Sequence, residues 1–219
     1  MEMNKANFVV WTSLVLVLSI PARWMVNLIA KPINYLARFN NADLPLLLSY
    51  LEVPGTVGLL YILYRWFDTK LWCHQRLNKL FEKIGLVNKP DLRGRWEGEI
   101  MSSHRGHKTS IPAIAEITQT FSDISILMYF ADSNSTSLIA GFVKNKAGQH
   151  VLHYEYRNDT KPRAKDVMHK HDGVVRLKLL PDKKVLAGSY YTSAQDRGTY
   201  GTIELKFIGH TLLGRFEKD

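Results

Sequence analysis

The chain has 219 residues and a formal charge of +9, from 29 Lys and Arg against 20 Asp and Glu. That length exceeds a lone membrane hairpin and suits a hairpin plus one domain of ordinary size. The basic balance favours phosphate ligands, nucleic acid or lipid headgroups, or simply fixes membrane orientation. A single cysteine, Cys73, excludes an intrachain disulfide and agrees with a reducing compartment.

The first 67 residues read as a transmembrane helical hairpin, with spans from Phe8 to Ala30 and from Leu44 to Phe67. At ~1.5 Å per residue each covers roughly 35 Å, against a hydrocarbon core of about 30 Å. Pro21-Ala22-Arg23-Trp24 is a poor cleavage region, and apolar character resumes through Ala30, so an uncleaved anchor is expected rather than a signal peptide. Pro21 predicts a kink in the first span. In an antiparallel hairpin Arg23 and Glu52 both lie ~10–12 Å inside the same membrane face. Three uses are open to them: an intramembrane functional site, an ion pair that only sets the hairpin register, or a contact of Glu52 with another copy of the chain. Basic residues from Arg65 to Arg95 outnumber the acids there, while the hairpin loop offers Lys31 and Arg38. Positive-inside reasoning then puts both termini and the soluble part in the cytoplasm.

From 68 to 91 an amphipathic linker is expected. Cys73, Leu77, Leu80, Phe81 and Ile84 share one helix face, and Gly85 and Pro90 supply stop signals. It either lies on headgroups or packs on the domain that follows.

After Leu92 the apolar period becomes two. Strands are expected at Arg93–Met101, Ala113–Thr120, Ile124–Ala131, Ser137–Val143, His150–Arg157, Val174–Leu180, Val185–Thr192, Thr202–Ile208 and Thr211–Glu217. Turn signals separate them, among them Asp132-Ser133-Asn134 and Asp172-Gly173. Leu152, Tyr154 and Tyr156 share one face of their strand, His153, Glu155 and Arg157 the other. Val175, Leu177 and Leu179 form a second inward set. The fold class is therefore membrane-anchored all-β, with an antiparallel, lipocalin-like barrel of about eight strands over 92–219.

No phosphate loop, nucleophile elbow, carboxylate pair or Cys–His pair is present, so no catalytic residue is assigned. His169 and His171 form an H-x-H without a third ligand at diagnostic spacing, so no metal and no cofactor are expected. Binding has candidates instead. Tyr154, Tyr156, Arg157, His171, Tyr190, Thr192, Arg197 and Thr199 combine aromatic faces, hydroxyls and cations, the groups a nucleotide needs for base stacking, base edges and phosphate. The competing reading is that the tyrosines simply fill a small barrel.

Gly94-Arg95-Trp96-Glu97-Gly98 opens the β region; L-x-Y-x-Y follows at Leu152, Tyr154 and Tyr156. His171-Asp172-Gly173 and L-x-G-x-Y-x-T at Leu186, Gly188, Tyr190 and Thr192 come after it. Behind a two-span anchor, this order resembles the transmembrane β-barrel effectors of bacterial CBASS anti-phage systems. The resemblance implies a barrel that recognises a cyclic dinucleotide made by a partner nucleotidyltransferase, rather than a nucleic acid polymer. It also implies homo-oligomerisation on activation and disruption of membrane lipids in the bacterial inner membrane, causing abortive infection. In that family an Arg follows the Y-x-T strand closely, whereas here Ser193-Ala194-Gln195-Asp196 precede Arg197, which retains an Arg-x-Thr-x-Gly order. The alternative is a constitutive membrane-tethered barrel for a lipid or hydrophobic metabolite, recognisable by an interior lined only with aliphatic and phenyl groups.

Overall fold

The computed structural model describes residues 24, 28, 31, 57–74, 87, 89–105, 110–146, 148–164, 170–182, 184–193 and 198–216. The chain divides into two compact units, Met1–Asn88 and Lys89–Asp219.

In the first unit, residues 57–66 are α-helical and continue into a π turn at Phe67–Leu71. The Trp72 N–H reaches the Phe67 carbonyl at 3.2 Å, and the Thr69 hydroxyl donates back to Arg65 O at 2.7 Å. The wide turn interrupts the helical path just where a separate amphipathic helix was expected to begin. Among the described residues no helix is long and apolar enough to cross a membrane. Most of both expected spans, Arg23, Glu52 and residues 75–86 lie outside the described residues.

The second unit is a closed antiparallel barrel in simple up-and-down order. Its strands are β1 (Gly94–Ser102), β2 (Ser110–Gln119), β3 (Ile124–Tyr129), β4 (Ser133–Lys144), β5 (His150–Thr160), β6 (His171–Leu179), β7 (Val185–Thr192) and β8 (Tyr200–Gly209). Closure is made by β1 on β8, from Arg95↔Gly209 to Ser102↔Gly201, with a register shift beside Trp96. Alternation then divides each strand between an inside and an outside. Leu152, Tyr154 and Tyr156 are buried, as are Val175 and Leu177, matching the expected inward sets.

One end of the barrel is plugged. Trp96, 1% exposed, stacks edge-on against Phe207 at 5.2 Å and donates its indole N–H to Leu92 O at 2.9 Å. Buried Gln119 completes the floor, accepting the Leu92 N–H at 2.9 Å and donating to Pro90 O at 3.0 Å. The incoming segment is thereby drawn across the barrel end with its backbone groups satisfied, as burial requires.

The ninth expected strand, Thr211–Glu217, does not form. Residues 211–216 are a strap over the outside of β1 and β2, because the N–H groups of Leu213 and Gly214 go to the Glu116 carboxylate (2.7 and 3.1 Å) rather than to a ladder. Gly214, at φ 70°, also turns the chain away from an extended path. Glu116 is in turn paired with the Arg95 guanidinium at 2.9 Å, both side chains at most 5% exposed. Arg95 also donates to Glu97 (2.8 Å) and to Arg215 O (3.2 Å). Burial disfavours the charge on Arg95, but its two carboxylate partners outweigh that and hold its pKa above the ordinary value.

Breaking this knot leaves a buried charge short of partners, which costs about 3–5 kcal/mol for a fully buried pair. Glu97, whose side chain is 28% exposed, moderates that here. Glu116→Ala is expected to lower the urea midpoint substantially and release the C-terminal strap to proteolysis. Glu116→Gln, which still accepts from Leu213 and Gly214, loses less. Equal midpoints for the three chains would contradict this account.

Candidate functional site

The other end of the barrel is open. There a half-open cavity of about 270 Å³ is walled by the last residues of β1, β3, β5 and β7 and the first of β2, β4, β6 and β8. Its floor is apolar: Ile100, Ile111, Met128, Val175 and Ile203. Above it runs a polar belt of Ser102, Ser110, Ser133, Ser135, Asn158, Thr192 and Thr199, with Phe130, Tyr156 and Tyr190 as aromatic walls. His104, Asp132 and His171 stand at the rim.

Two glycines give the tyrosines their room. Tyr156 lies opposite Gly173 on β6, and Tyr190 opposite Gly201 on β8. A Cβ at Gly173 would stand 2.5 Å from the Tyr156 hydroxyl and 2.6 Å from Tyr191 O; one at Gly201 would stand 2.7 Å from the Tyr190 ring. Each ring therefore lies along the neighbouring strand instead of across the lumen, and space remains above the floor. The Tyr156 ring meets Tyr154 at 6.5 Å and His171 at 6.2 Å, both edge-on.

Apart from Asp132, His104 and His171 at the rim, the polar groups lining the cavity are neutral. Burial, and then the nearby Tyr190 and Asp172, push the Tyr156 hydroxyl well above the ordinary tyrosine range. Burial raises Tyr190 too, against the opposing effect of its hydrogen bond with Ser102. Both phenols remain donors throughout the physiological range. Among the described residues no three His, Cys, Asp or Glu side chains are grouped to hold a metal ion.

Loops at the rim are tied back to the strands. Lys161 donates its ammonium to Phe130 O (2.9 Å) and Ala131 O (3.0 Å), and its N–H to Asp132 O (2.9 Å), fixing the β3–β4 turn beside the mouth. Thr192 and Thr199 clamp the base of the β7–β8 loop: their hydroxyls are 3.0 Å apart, and the Thr199 N–H donates to Thr192 Oγ1 at 2.8 Å. Ser193 N–H donates to Asp172 O at 2.9 Å, joining that loop to β6.

Of the residues singled out in the sequence, Tyr156, His171, Tyr190, Thr192 and Thr199 meet in this cavity. Tyr154 does not; it is 1% exposed below the floor, its hydroxyl directed to Met128 Sδ at 3.1 Å. Arg157 faces the outside of β5 and forms a two-pronged pair with Asp172 (2.9 and 3.0 Å), which holds Asp172 below the usual carboxylate range. Arg197 lies outside the described residues, within the loop that Thr192 and Thr199 close. Sequence reading missed the serines of β1, β2 and β4, His104 and Asn158.

Residues 87–206 match the family model described as "Cap15, cyclic dinucleotide receptor domain". The chain is also similar to CD-NTase-associated protein 15 from Yersinia aleksiciae, with 29% identity over 162 residues that cover 74% of each chain.

A methyl group at Gly173 crowds Tyr156 and is expected to destabilise the barrel by about 1–3 kcal/mol, the usual cost of overpacking. Tyr156→Leu in the Gly173→Ala chain should return part of that loss. A double-mutant cycle from urea melts checks it, and strict additivity would show that Tyr156 is not what Gly173 accommodates.

Proposed function

This chain belongs to the family of the Cap15 cyclic dinucleotide receptor domain, and on that premise we propose that its barrel mouth is the binding site for a cyclic dinucleotide whose occupancy activates a membrane effector. The observation that carries this reading is the make-up of the mouth: tyrosine and phenylalanine faces above an apolar floor, encircled by hydroxyl and amide groups. A nucleobase presents a flat apolar face and a polar edge, and this cavity offers the complement of both. The cavity is at the small end of ligand pockets, which run about 300–1,000 Å³. A base seated between Tyr156 and Tyr190 therefore fills it, while the sugar–phosphate ring stays at the mouth. There His104 and His171 stand at the rim, and Arg197, between Thr192 and Thr199 in sequence, is the residue proposed to meet the phosphates. Keeping the anionic ring at the wet rim avoids the several-kcal/mol cost of burying charge.

The same features argue against a lipid carrier. An alkyl chain entering here would lie against the hydroxyls of Ser110, Ser133 and Ser135 and offer them no hydrogen bond, a penalty for each group it shuts off from water. Membership of a cyclic dinucleotide receptor family favours a receptor over an enzyme, and among the described residues of the mouth no nucleophile is paired with a base.

In the full mechanism the ligand comes from a partner nucleotidyltransferase, the anti-phage setting to which the CD-NTase-associated relative points. Two N-terminal spans anchor the chain in the bacterial inner membrane with the barrel in the cytoplasm. Ligand favours an assembling state through contacts made only there. Hairpins gathered in one patch then bring Arg23 and Glu52 together at depth, where charge admits water and thins the bilayer.

Calorimetric titration of the purified full chain with a panel of cyclic dinucleotides is expected to give heat with at least one member. Tyr156→Ala and Tyr190→Ala each remove about 1–3 kcal/mol of stacking, so affinity falls roughly 5- to 150-fold. A fatty acid or phospholipid should give no comparable heat. Absence of heat across the nucleotide panel would sink the sensor reading.

The membrane step has its own test. In liposomes loaded with a self-quenched dye, ligand addition should release dye from wild-type chain. Arg23→Leu and Glu52→Leu should abolish release singly while leaving the titration unchanged. Undiminished release from the double variant would exclude this role for the pair.

A further inference from the structure

We propose that the outer edge of β4 from Leu138 to Val143 is a self-pairing edge, through which two copies of this chain join their barrels by antiparallel main-chain hydrogen bonds about a two-fold axis at Gly141. This deepens the assembly step of the reading above and rests on that reading for its trigger, though not for the surface itself.

The barrel is closed, yet the seam between β3 and β4 is short. Pairing runs only from Tyr129↔Asn134 to Leu127↔Thr136, whereas β4 continues on β5 to Lys144↔His150. A bulge between Ser137 and Ile139 marks where β4 turns away. On the β3 side the loss is made good locally, because the Ile126 N–H donates to Ser137 Oγ at 2.9 Å. On the β4 side no described strand replaces β3. Asn145 N–H donates to Gln149 O across the β4–β5 turn. Counting back by twos, Val143, Gly141 and Ile139 direct their N–H and C=O groups to β5. Ala140 and Phe142 direct theirs to the open side.

That open stretch carries none of the usual protection. Between Thr136 and Lys144 there is no charge and no proline. Leu138, Ile139 and Val143 are 48%, 72% and 54% exposed. In a chain of charge +9, a neutral apolar edge is an invitation to pair, and its pattern selects the occupant. A two-fold axis at Gly141 sets Ala140 opposite Phe142 of the second copy, each pair exchanging both hydrogen bonds. Ile139 then faces Val143, and Gly141 faces itself at the position where strands come closest. Lys144 of each copy falls at opposite ends of the ladder, so the two ammonium groups do not meet. A Cβ at Gly141 would touch nothing within 4 Å, so the barrel itself does not require glycine there. The edge lies toward the plugged end, away from the cavity, and pairing leaves the mouth free. A ladder of this length covers far less than the roughly 1,200–2,000 Å² of a stable interface. It is therefore a weak contact, detectable in solution at high protein concentration and strengthened where copies are gathered on a shared membrane or in the ligand-bound state.

The register makes the test specific. Residues facing across a non-hydrogen-bonded pair have Cα atoms ~4.5 Å apart, within disulfide range. In full-length chain carrying Cys73→Ser, Gly141→Cys is expected to give a covalent dimer on mild oxidation, with about tenfold more product than Ile208→Cys, an exposed control on β8. Ile139→Lys and Val143→Glu should each weaken self-association in sedimentation velocity by about tenfold, and the two combined in one chain should restore it, because each lysine then faces a glutamate. Thermal melts confirm that the variants fold. Failure of Gly141→Cys to cross-link above the control, or wild-type association of Ile139→Lys, overturns the proposal. Titration of the same chains with cyclic dinucleotide separates the two claims: cross-linking without ligand heat upholds the edge and refutes the sensor, while heat without cross-linking refutes the edge alone.

Discussion

Closure of the sheet between β1 and β8 is the constraint from which the rest of the second unit follows. Once Arg95 pairs with Gly209 and Ser102 with Gly201, every strand acquires an inside, and period-two alternation decides what occupies it. A barrel of eight strands has a lumen that side chains can just fill. Whether it becomes a solid core or a receptor then depends on side-chain size at each level. At one end Trp96, Phe207, Leu205 and Leu186 fill it. At the other, Ser102, Ser133, Ser135 and Thr192 are too small to do so. The cavity results from small residues at inward positions of strand ends, with no special loop needed to build it.

The outside of the barrel is held by different chemistry. The Arg95–Glu116 pair is buried under the C-terminal strap, and its energy depends on every lone pair and N–H being used: Glu97, Leu213, Gly214 and Arg215 all contribute. A buried ion pair by itself adds little to stability, since desolvation offsets attraction. Its effect here is to give the strap one register, which a purely apolar contact between Phe216 and the sheet would leave loose.

Much of this was legible from residues, and the misses have physical causes. The inward sets Leu152–Tyr154–Tyr156 and Val175–Leu177 followed from alternation, because each strand has one dry face. The same alternation separates Arg157 from Tyr156, so both cannot face one ligand inside: the guanidinium suits a phosphate by chemical type, but its parity puts it outside the barrel, on Asp172. Ser133 and Ser135 were lost because Asp132-Ser133-Asn134 has turn composition. The tight turn in fact closes at Phe130 N–H to Ser133 O, and the strand has already begun. Thr211–Glu217 shows the reverse error. Its pattern suits a strand, but Glu116 takes its N–H groups and leaves none for a ladder. The short β3–β4 seam had no local signal, since pairing length is a property of two distant segments.

The arrangement of charge around the mouth bears on why a site for an anion should be built from neutral groups. In the proposed reading the base enters first and the phosphates stop at the rim. A cation deep in the cavity would have to lose its own hydration before any ligand arrived, and the empty state would bear that cost continuously. Hydroxyls and amides are cheaper to leave unoccupied, because water can satisfy them and is displaced without a charge being stranded. The tyrosine rings are held close to the wall, where Gly173 and Gly201 leave room for them. Ser193 and Asp172 link the base of the β7–β8 loop to β6, and β6 pairs along its length with β5. β5 carries the open half of β4, so the site and the unprotected edge share one continuous ladder.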